Sequence, residues 1–162
     1  MSVAFTKEDS AETASETMLP ERPVPQGPNL VTAEGLALLE QQLAAARAEY
    51  EAALATEDVN ERRRAAANPF RDMRYFAERV RTAQVVPAPE AADVVAFGST
   101  VTFEREDGRV QTYRIVGEDE ADPKTGTVSF ASPVARALLG RSGGDVVSVG
   151  DSEVEIVSIG RT

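Results

Sequence analysis

The feature that most constrains this chain is a change of hydrophobic period partway along it. Between residues 36 and 80 the apolar residues recur every three or four positions, and from Phe97 onward they recur every two. A period near 3.6 is buried by helices and a period of two by strands. Leu36, Leu39, Leu43, Ala46, Tyr50 and Leu54 follow one another at spacings of 3, 4, 3, 4 and 4, interleaved with Glu, Gln, Arg and Ala. Phe70, Met73, Ala77 and Val80 form a second run at 3, 4 and 3. Each stripe is narrow, enough to bury one seam. Two such helices joined by a short polar segment predict an antiparallel, coiled-coil-like helical hairpin over residues 30–86. Thr32 is the expected N-cap of the first helix, with Gly35 standing where a capping box would carry Glu or Gln. Asn68-Pro69 interrupts the second arm. The helix-forming run Arg62 to Ala67 favours a kinked continuous helix across it, and a fresh start at Pro69 is the alternative.

Pro87 and Pro89 end the hairpin and open a linker, residues 87–96. The remainder, residues 97–162, reads as strands. Val101-Thr-Phe103 and Tyr113-Arg-Ile-Val116 flank Glu106-Asp107-Gly108, where Asp-Gly signals a hairpin turn. A third strand, Thr127 to Phe130, follows an acidic turn at Glu118 to Pro123. Ser132-Pro133 opens a short helix, serine as N-cap and proline at the first helical position, and Gly140 stops it. Asp145 to Val149 and Val154 to Ile159 complete a small antiparallel sheet. The expected fold class is α+β, hairpin first and sheet second. Residues 1–29, rich in Ser, Thr, Glu and Pro and without periodicity, are expected to form a disordered tail.

Composition removes much chemistry. Cysteine and histidine are both absent, which excludes a disulfide, a thiolate nucleophile, a Cys/His zinc site and a Ser-His-Asp triad. Any metal would have to be held by carboxylates and water. No apolar run approaches the roughly 18 residues that span a bilayer, and the N-terminus lacks the apolar core of a signal peptide. The expectation is a soluble, cytoplasmic protein without a membrane partner. The formal charge of −10 is unevenly spread: residues 31–86 carry nine acids against eight bases, residues 87–162 thirteen against seven. A net-acidic chain lacks the basic face that autonomous duplex DNA binding requires, and suits a partner with a basic patch.

The chemistry-bearing residues gather where the hairpin turns. From Leu36 to Asp58 there are 21 intervening residues, and from Glu61 to Ala83 again 21. Equal arms place Asp58 and Glu61 at the tip. Two carboxylates three apart across a tight turn can converge on one magnesium ion, but a partner must supply the rest of its coordination. The plainer reading is that they are turn and helix-start residues, as Asp and Glu favour both places. Arg62, Arg63 and Arg64 follow at once, and seven of the hairpin's eight basic residues lie on its second arm. They are either a solvated helix face or a local nucleic-acid contact.

Three segments resemble the bacterial GreA/GreB transcript-cleavage factors. Phe97-Gly-Ser-Thr-Val-Thr102 resembles the opening strand of their C-terminal domain, and Tyr113-Arg-Ile-Val-Gly-Glu-Asp-Glu-Ala-Asp122 is similar to the family's most specific stretch. Ser132-Pro-Val-Ala-Arg-Ala-Leu-Leu-Gly140 with Gly144-Asp145 matches its SP-x-AR-x-L segment and the following GD. Ala83-Gln-Val-Val86 extends the likeness to the end of the hairpin.

The resemblance implies an FKBP-like C-terminal sheet that docks on RNA polymerase at the rim of its secondary channel. Ser132 and Pro133, with Asp119, Glu120 and Arg136, are its partner-binding residues. It also implies that the hairpin enters the channel, where Asp58 and Glu61 help hold a second magnesium ion for hydrolysis of a backtracked RNA 3′ end. On this reading the chain is not itself an enzyme, needs no cofactor of its own, and can meet nascent RNA through Arg62, Arg63 and Arg64.

Two features depart from the family. The three arginines replace the Asn-Ala-Glu-Tyr that follows the glutamate in relatives. Each arm is also roughly five or six residues shorter, about 8 Å of reach at 1.5 Å per residue. The chain also resembles the short-hairpin Rnk type, which implies the alternative of a polymerase-binding regulator without cleavage that competes with cleavage factors. Prolyl isomerase activity, which FKBP-like domains bring to mind, is disfavoured by the absence of tryptophan.

Overall fold

The structure, a computed structural model, describes residues 19–160; the expectation of a disordered tail over residues 1–18 lies outside them. A short strand β1 (Asn29–Val31) leads into helix α1 (Ala33–Leu54). Helix α2 (Val59–Thr82) returns and passes straight into β2 (Ala83–Val85). The second domain runs β3 (Thr100–Arg105), β4 (Val110–Val116), a single 3₁₀ turn (Pro123–Thr125), β5 (Thr127–Ser129), α3 (Pro133–Leu138), β6 (Val146–Val149) and β7 (Ser152–Gly160). The α+β class is as expected. Two compact units divide the described chain, residues 19–26 with 39–81, and residues 27–38 with 82–160. The boundary therefore falls inside α1.

In the helical unit, the buried residues of α1 are Leu39, Leu43, Ala46 and Ala53, with Tyr50 half-buried between them. The spacing is 4, 3, 4 and 3, a strict heptad seam. It parts from the expected stripe at the last step, taking Ala53 and leaving Leu54 48% exposed. Helix α2 is continuous and carries Pro69 inside it. Its buried residues are Pro69, Tyr75 and Arg79, while Phe70 is exposed and Met73, Ala77 and Val80 are half-buried. The expected seam is thus shared with a second face, because the segment before the hairpin covers it. Arg22 lies 4.0 Å from the Tyr75 ring centroid and 3.1 Å from Asp72, and Glu21 pairs with Arg74. Residues 19–26, expected as part of the tail, are held against α2 through Glu21 and Arg22.

In the sheet unit the strand order is β5-β4-β3-β7-β6. Pairing is antiparallel except for β4 with β5, which run parallel, so the sheet is mixed rather than antiparallel throughout. The reason is the connection. After β4 the chain makes a crossover through residues 117–126, closed by Asp122, whose carboxylate accepts from the Lys124 N–H at 3.2 Å and whose own N–H donates to Thr127 Oγ1 at 2.7 Å. A hairpin turn reverses the chain, whereas a crossover returns it in the same direction. Alternate residues Val101, Phe103, Val154 and Ile156 face one core and are at most 1% exposed, with Ala135 and Leu138 of α3 closing over it. Val95, in the expected linker, is 2% exposed and belongs to this core. Its N–H donates to the Arg141 carbonyl and its carbonyl accepts from Gly140 N–H, both at 2.8 Å.

A second, two-stranded sheet pairs β1 with β2 in parallel, Asn29 opposite Ala83 and Val31 opposite Val85. The resemblance noted at Ala83-Gln-Val-Val86 is therefore a strand and not the last turn of a helix. Three-residue strands carry too little alternation to be read from sequence. The crossover loop is pressed against β1: a Cβ at Gly117 would lie 2.6 Å from the Leu30 carbonyl oxygen and 3.5 Å from Val31 Cα. Backbone on both sides cannot yield cheaply. Gly117→Ala is expected to lower unfolding free energy in urea by about 2 kcal/mol or more. Gly143→Ala, where nothing lies within 4 Å, should change it by less than about 0.5 kcal/mol.

Candidate functional site

The hairpin tip is a four-residue turn, 55–58, and the first turn of α2. The rings of Tyr50 and Phe70 sit 5.5 Å apart, ten residues to either side of Asn60. With the helices ending at Leu54 and starting at Val59, the apex falls in the turn 55–58, a few residues before the point the equal-arm count gives; Asp58 closes that turn and Glu61 lies in the first turn of α2. Asp58 is the N-cap of α2. Its Oδ2 accepts the Glu61 N–H at 2.9 Å and its carbonyl accepts the Arg62 N–H at 2.9 Å. Both acids are exposed. Among the described residues no group of three or more His, Cys, Asp or Glu is placed to hold a metal. Asp58 and Glu61 supply two carboxylates, fewer donors than a magnesium ion requires. Of the three arginines, Arg62 leans back to the Thr56 carbonyl at 3.4 Å and Arg64 to the Asn60 carbonyl at 3.3 Å. Arg63 is exposed beside them.

The other candidate residues lie at one end of the sheet. Because β4 and β5 are parallel, with Val116 opposite Ser129, the chain leaves both strands at the same edge. Asp119 and Glu120 follow the first strand, and Ser132, Pro133 and Arg136 follow the second. An antiparallel pair would have sent the two segments to opposite ends. Ser132 Oγ donates to the Ser129 carbonyl at 2.7 Å and accepts the Ala135 N–H at 3.3 Å, fixing the start of α3; Pro133 and Arg136 are exposed. Asp119 is half-buried.

Glu120 has an internal partner. Its carboxylate accepts the Thr32 hydroxyl proton through one oxygen closely and through Oε2 at 3.1 Å. Thr32 Oγ1 in turn accepts the Gly35 N–H at 2.9 Å. This explains the glycine in the capping-box position: a Cβ there would lie 2.6 Å from Glu120 Oε1. The acid that a capping box supplies locally comes here from 85 residues further on, carrying negative charge to a helix N-terminus. No spacing rule within the helix could have found it.

Beside it, Glu34 has its carboxyl held below the ordinary value of 4.5, first by its own backbone N–H and then, against a desolvation penalty, by Arg114 and Thr32. A depressed carboxyl adds stability above its unfolded pKa and gives it up as pH falls through the folded value. Amide protection in the first turn of α1 should therefore weaken as pH is lowered below 4.5, and Glu34→Gln should flatten that dependence. At the tip, Asp58→Ala is expected to cost about 1 kcal/mol of cap energy in a thermal melt. Asp58→Asn keeps a capping oxygen and should melt close to the parent.

Comparison with known proteins adds the following. Residues 89–161 match the family model described as "Transcription elongation factor, GreA/GreB, C-term". The transcription elongation factor GreA of Anaeromyxobacter sp. (strain K) is 50% identical over 86 residues, 49% of this chain and 52% of that protein. The GreA of Alkalilimnicola ehrlichii is 49% identical over 88 residues, 50% of this chain and 56% of that protein. The chain thus spans about half the length of these relatives. Among solved structures, the GreA factor homolog Gfh1 of Thermus thermophilus aligns over 82% of this chain and 99% of its own, with 24% identity and a TM-score of 0.39. A GreA/GreB factor of Nitrosomonas europaea aligns over 82% and 98%, with 23% identity and a TM-score of 0.39. No described helix is long and apolar enough to cross a membrane.

Proposed function

We propose that this chain, whose residues 89–161 match the C-terminal GreA/GreB family model and about half of which aligns with GreA factors at 50% and 49% identity, is a factor of that family that binds RNA polymerase at the secondary channel and stimulates cleavage of backtracked RNA with its hairpin tip. The observation that carries this reading is the exposed Asp58–Glu61 pair at the tip of a helical hairpin whose companion domain matches that family's model. The chain is then a factor and not an enzyme, and the nuclease is the polymerase. On the sheet rim, exposed Pro133 and Arg136 meet the polymerase surface, with Asp119 beside them. Glu120 serves the same surface indirectly, by tying the loop that carries Asp119 to Thr32.

Asp58 and Glu61 would hold a polymerase magnesium ion jointly with the polymerase's own ligands, and the ion supplies charge neutralisation and an acidified water. The part played by this chain is placement. Asp58 Oδ2 is anchored by the Glu61 N–H, so the two carboxylates are presented on a rigid helix start rather than a loose loop. Arg62, Arg63 and Arg64 add positive charge next to the RNA phosphates. In an assay on stalled, backtracked polymerase, the parent should accelerate shortening of the RNA 3′ end. The double variant Asp58→Ala, Glu61→Ala should lose at least about 100-fold of that rate. Asp58→Asn should lose nearly as much while melting like the parent, which separates charge from cap. Absence of any acceleration by the parent rejects the cleavage role.

One observation favours a second reading, a secondary-channel regulator without cleavage. Asp58 already spends one oxygen as the cap of α2, as an ordinary helix-start residue does. This reading expects competition with cleavage factors for polymerase, and competition that survives replacement of both tip acids.

A further inference from the structure

The heptad step that buries Ala53 leaves a row of large apolar side chains without cover. Leu54, Phe70 and Leu19 are 48%, 42% and 38% exposed. They are not scattered: with Tyr50, Pro20 and Ala66 they line one groove of about 650 Å³ along the helical unit. The groove is bordered by Arg62, Arg63, Arg71 and Arg74 against a single acid, Glu21, which is paired with Arg74. Isolated exposed apolar residues need no explanation, whereas a contiguous apolar floor with a predominantly basic rim is the mark of a recognition surface.

We propose that this groove docks an acidic peptide segment of a partner protein, one that carries large apolar side chains along one face. Charge complementarity sets the sign of the partner, since four guanidinium groups on an otherwise acidic chain, net −10, select an acidic ligand locally. The floor sets its apolar part, because Leu19, Pro20, Leu54 and Ala66 offer aliphatic surface for side chains at helical spacing. Single-stranded nucleic acid shares the negative charge but fits the floor less well. Stacking needs open aromatic faces, whereas the Phe70 ring is packed on Tyr50 at 5.5 Å and lies under Arg74 at 5.7 Å. The chain's own residues 1–18 match the rim better than the floor: they hold Glu8, Asp9, Glu12 and Glu16, but their large apolar side chains, Met1, Val3, Phe5 and Met18, lie outside the acidic stretch and do not recur at i, i+3, i+4 and i+7. The inference shares Arg62 and Arg63 with the RNA contact of the cleavage reading but uses neither Asp58 nor Glu61, and peptide binding measured without polymerase tests it separately.

The test is fluorescence anisotropy on the full chain with a labelled peptide of about 14 residues, Glu-rich with Leu and Phe at i, i+3, i+4 and i+7. Three comparison probes accompany it: the same peptide with Lys for Glu, the same with Ser for Leu and Phe, and a uridine oligonucleotide of similar length. The expected result is saturable binding of the acidic amphipathic peptide alone, weakened by added salt. It should fall about tenfold or more in Arg62→Glu/Arg63→Glu and separately in Leu54→Ser. All three positions lie on the surface or its edge, and circular dichroism verifies the fold of each variant. Four outcomes overturn the proposal. These are no binding of the amphipathic peptide, equal binding of the Ser-substituted peptide, equal or tighter binding of the oligonucleotide, and binding that appears only when residues 1–18 are removed. The last would make that segment the occupant.

Discussion

Gly117 lies against the Leu30 carbonyl, and three residues later Glu120 takes the hydroxyl proton of Thr32 at the start of α1. These two contacts weld the crossover loop of the sheet to the strand and helix turn that precede the first arm of the hairpin. Several features follow from them. Gly117 has to be glycine because backbone occupies the place of a side chain. At Gly35 a Cβ would press on the end of the Glu120 side chain, which can swing aside only by giving up its bond to Thr32. Thr32, 3% exposed, accepts from the helix and donates to the sheet, so its hydroxyl is fully used where an unpaired one would be costly. The base is reinforced by the β1–β2 pair and by Asn29 Nδ2, which donates to Thr82 Oγ1 at 3.2 Å.

The same loop gives the domain its working edge. A crossover makes β4 and β5 parallel, and a parallel pair brings the Gly-Glu-Asp-Glu stretch and the Ser-Pro turn to one rim. The residues there divide by task. Ser132 and Glu120 spend their polar atoms holding backbone and helix starts in place, which leaves Pro133 and Arg136 as the outward surface. The tip shows the same division within a single residue, because Asp58 offers one carboxylate oxygen to its helix and keeps the other at the apex.

Where the sequence misled, a partner distant in sequence was responsible. Leu54 continues the apolar spacing of α1 as well as Ala53 does. What decides between them is the packing of the opposite arm, and the choice of Ala53 leaves Leu54 as groove lining. Tyr75 looks like the outer face of α2 until Arg22 is laid over its ring. Val95 sits between prolines and small residues that read as linker, yet its backbone is hydrogen-bonded on both sides to residues 140 and 141. In each case the local pattern was compatible with two environments, and burial was assigned by a segment dozens of residues away.

Local rules alone determined much of this protein. The switch of period gives helices and then strands, Asp-Gly gives the β3–β4 turn, Ser-Pro starts α3, and Asp58 caps α2 with Glu61 in its first turn. All of these depend on interactions within a few residues, whose energies are set by the residues themselves. Only the tertiary structure decided that β5 is parallel, that β1 and β2 pair, that Glu120 bonds the Thr32 cap of α1, and that Glu21 and Arg22 are tied to α2. Each of these is a contact between segments far apart in the chain, and its free energy depends on surfaces that exist only once the two segments have met.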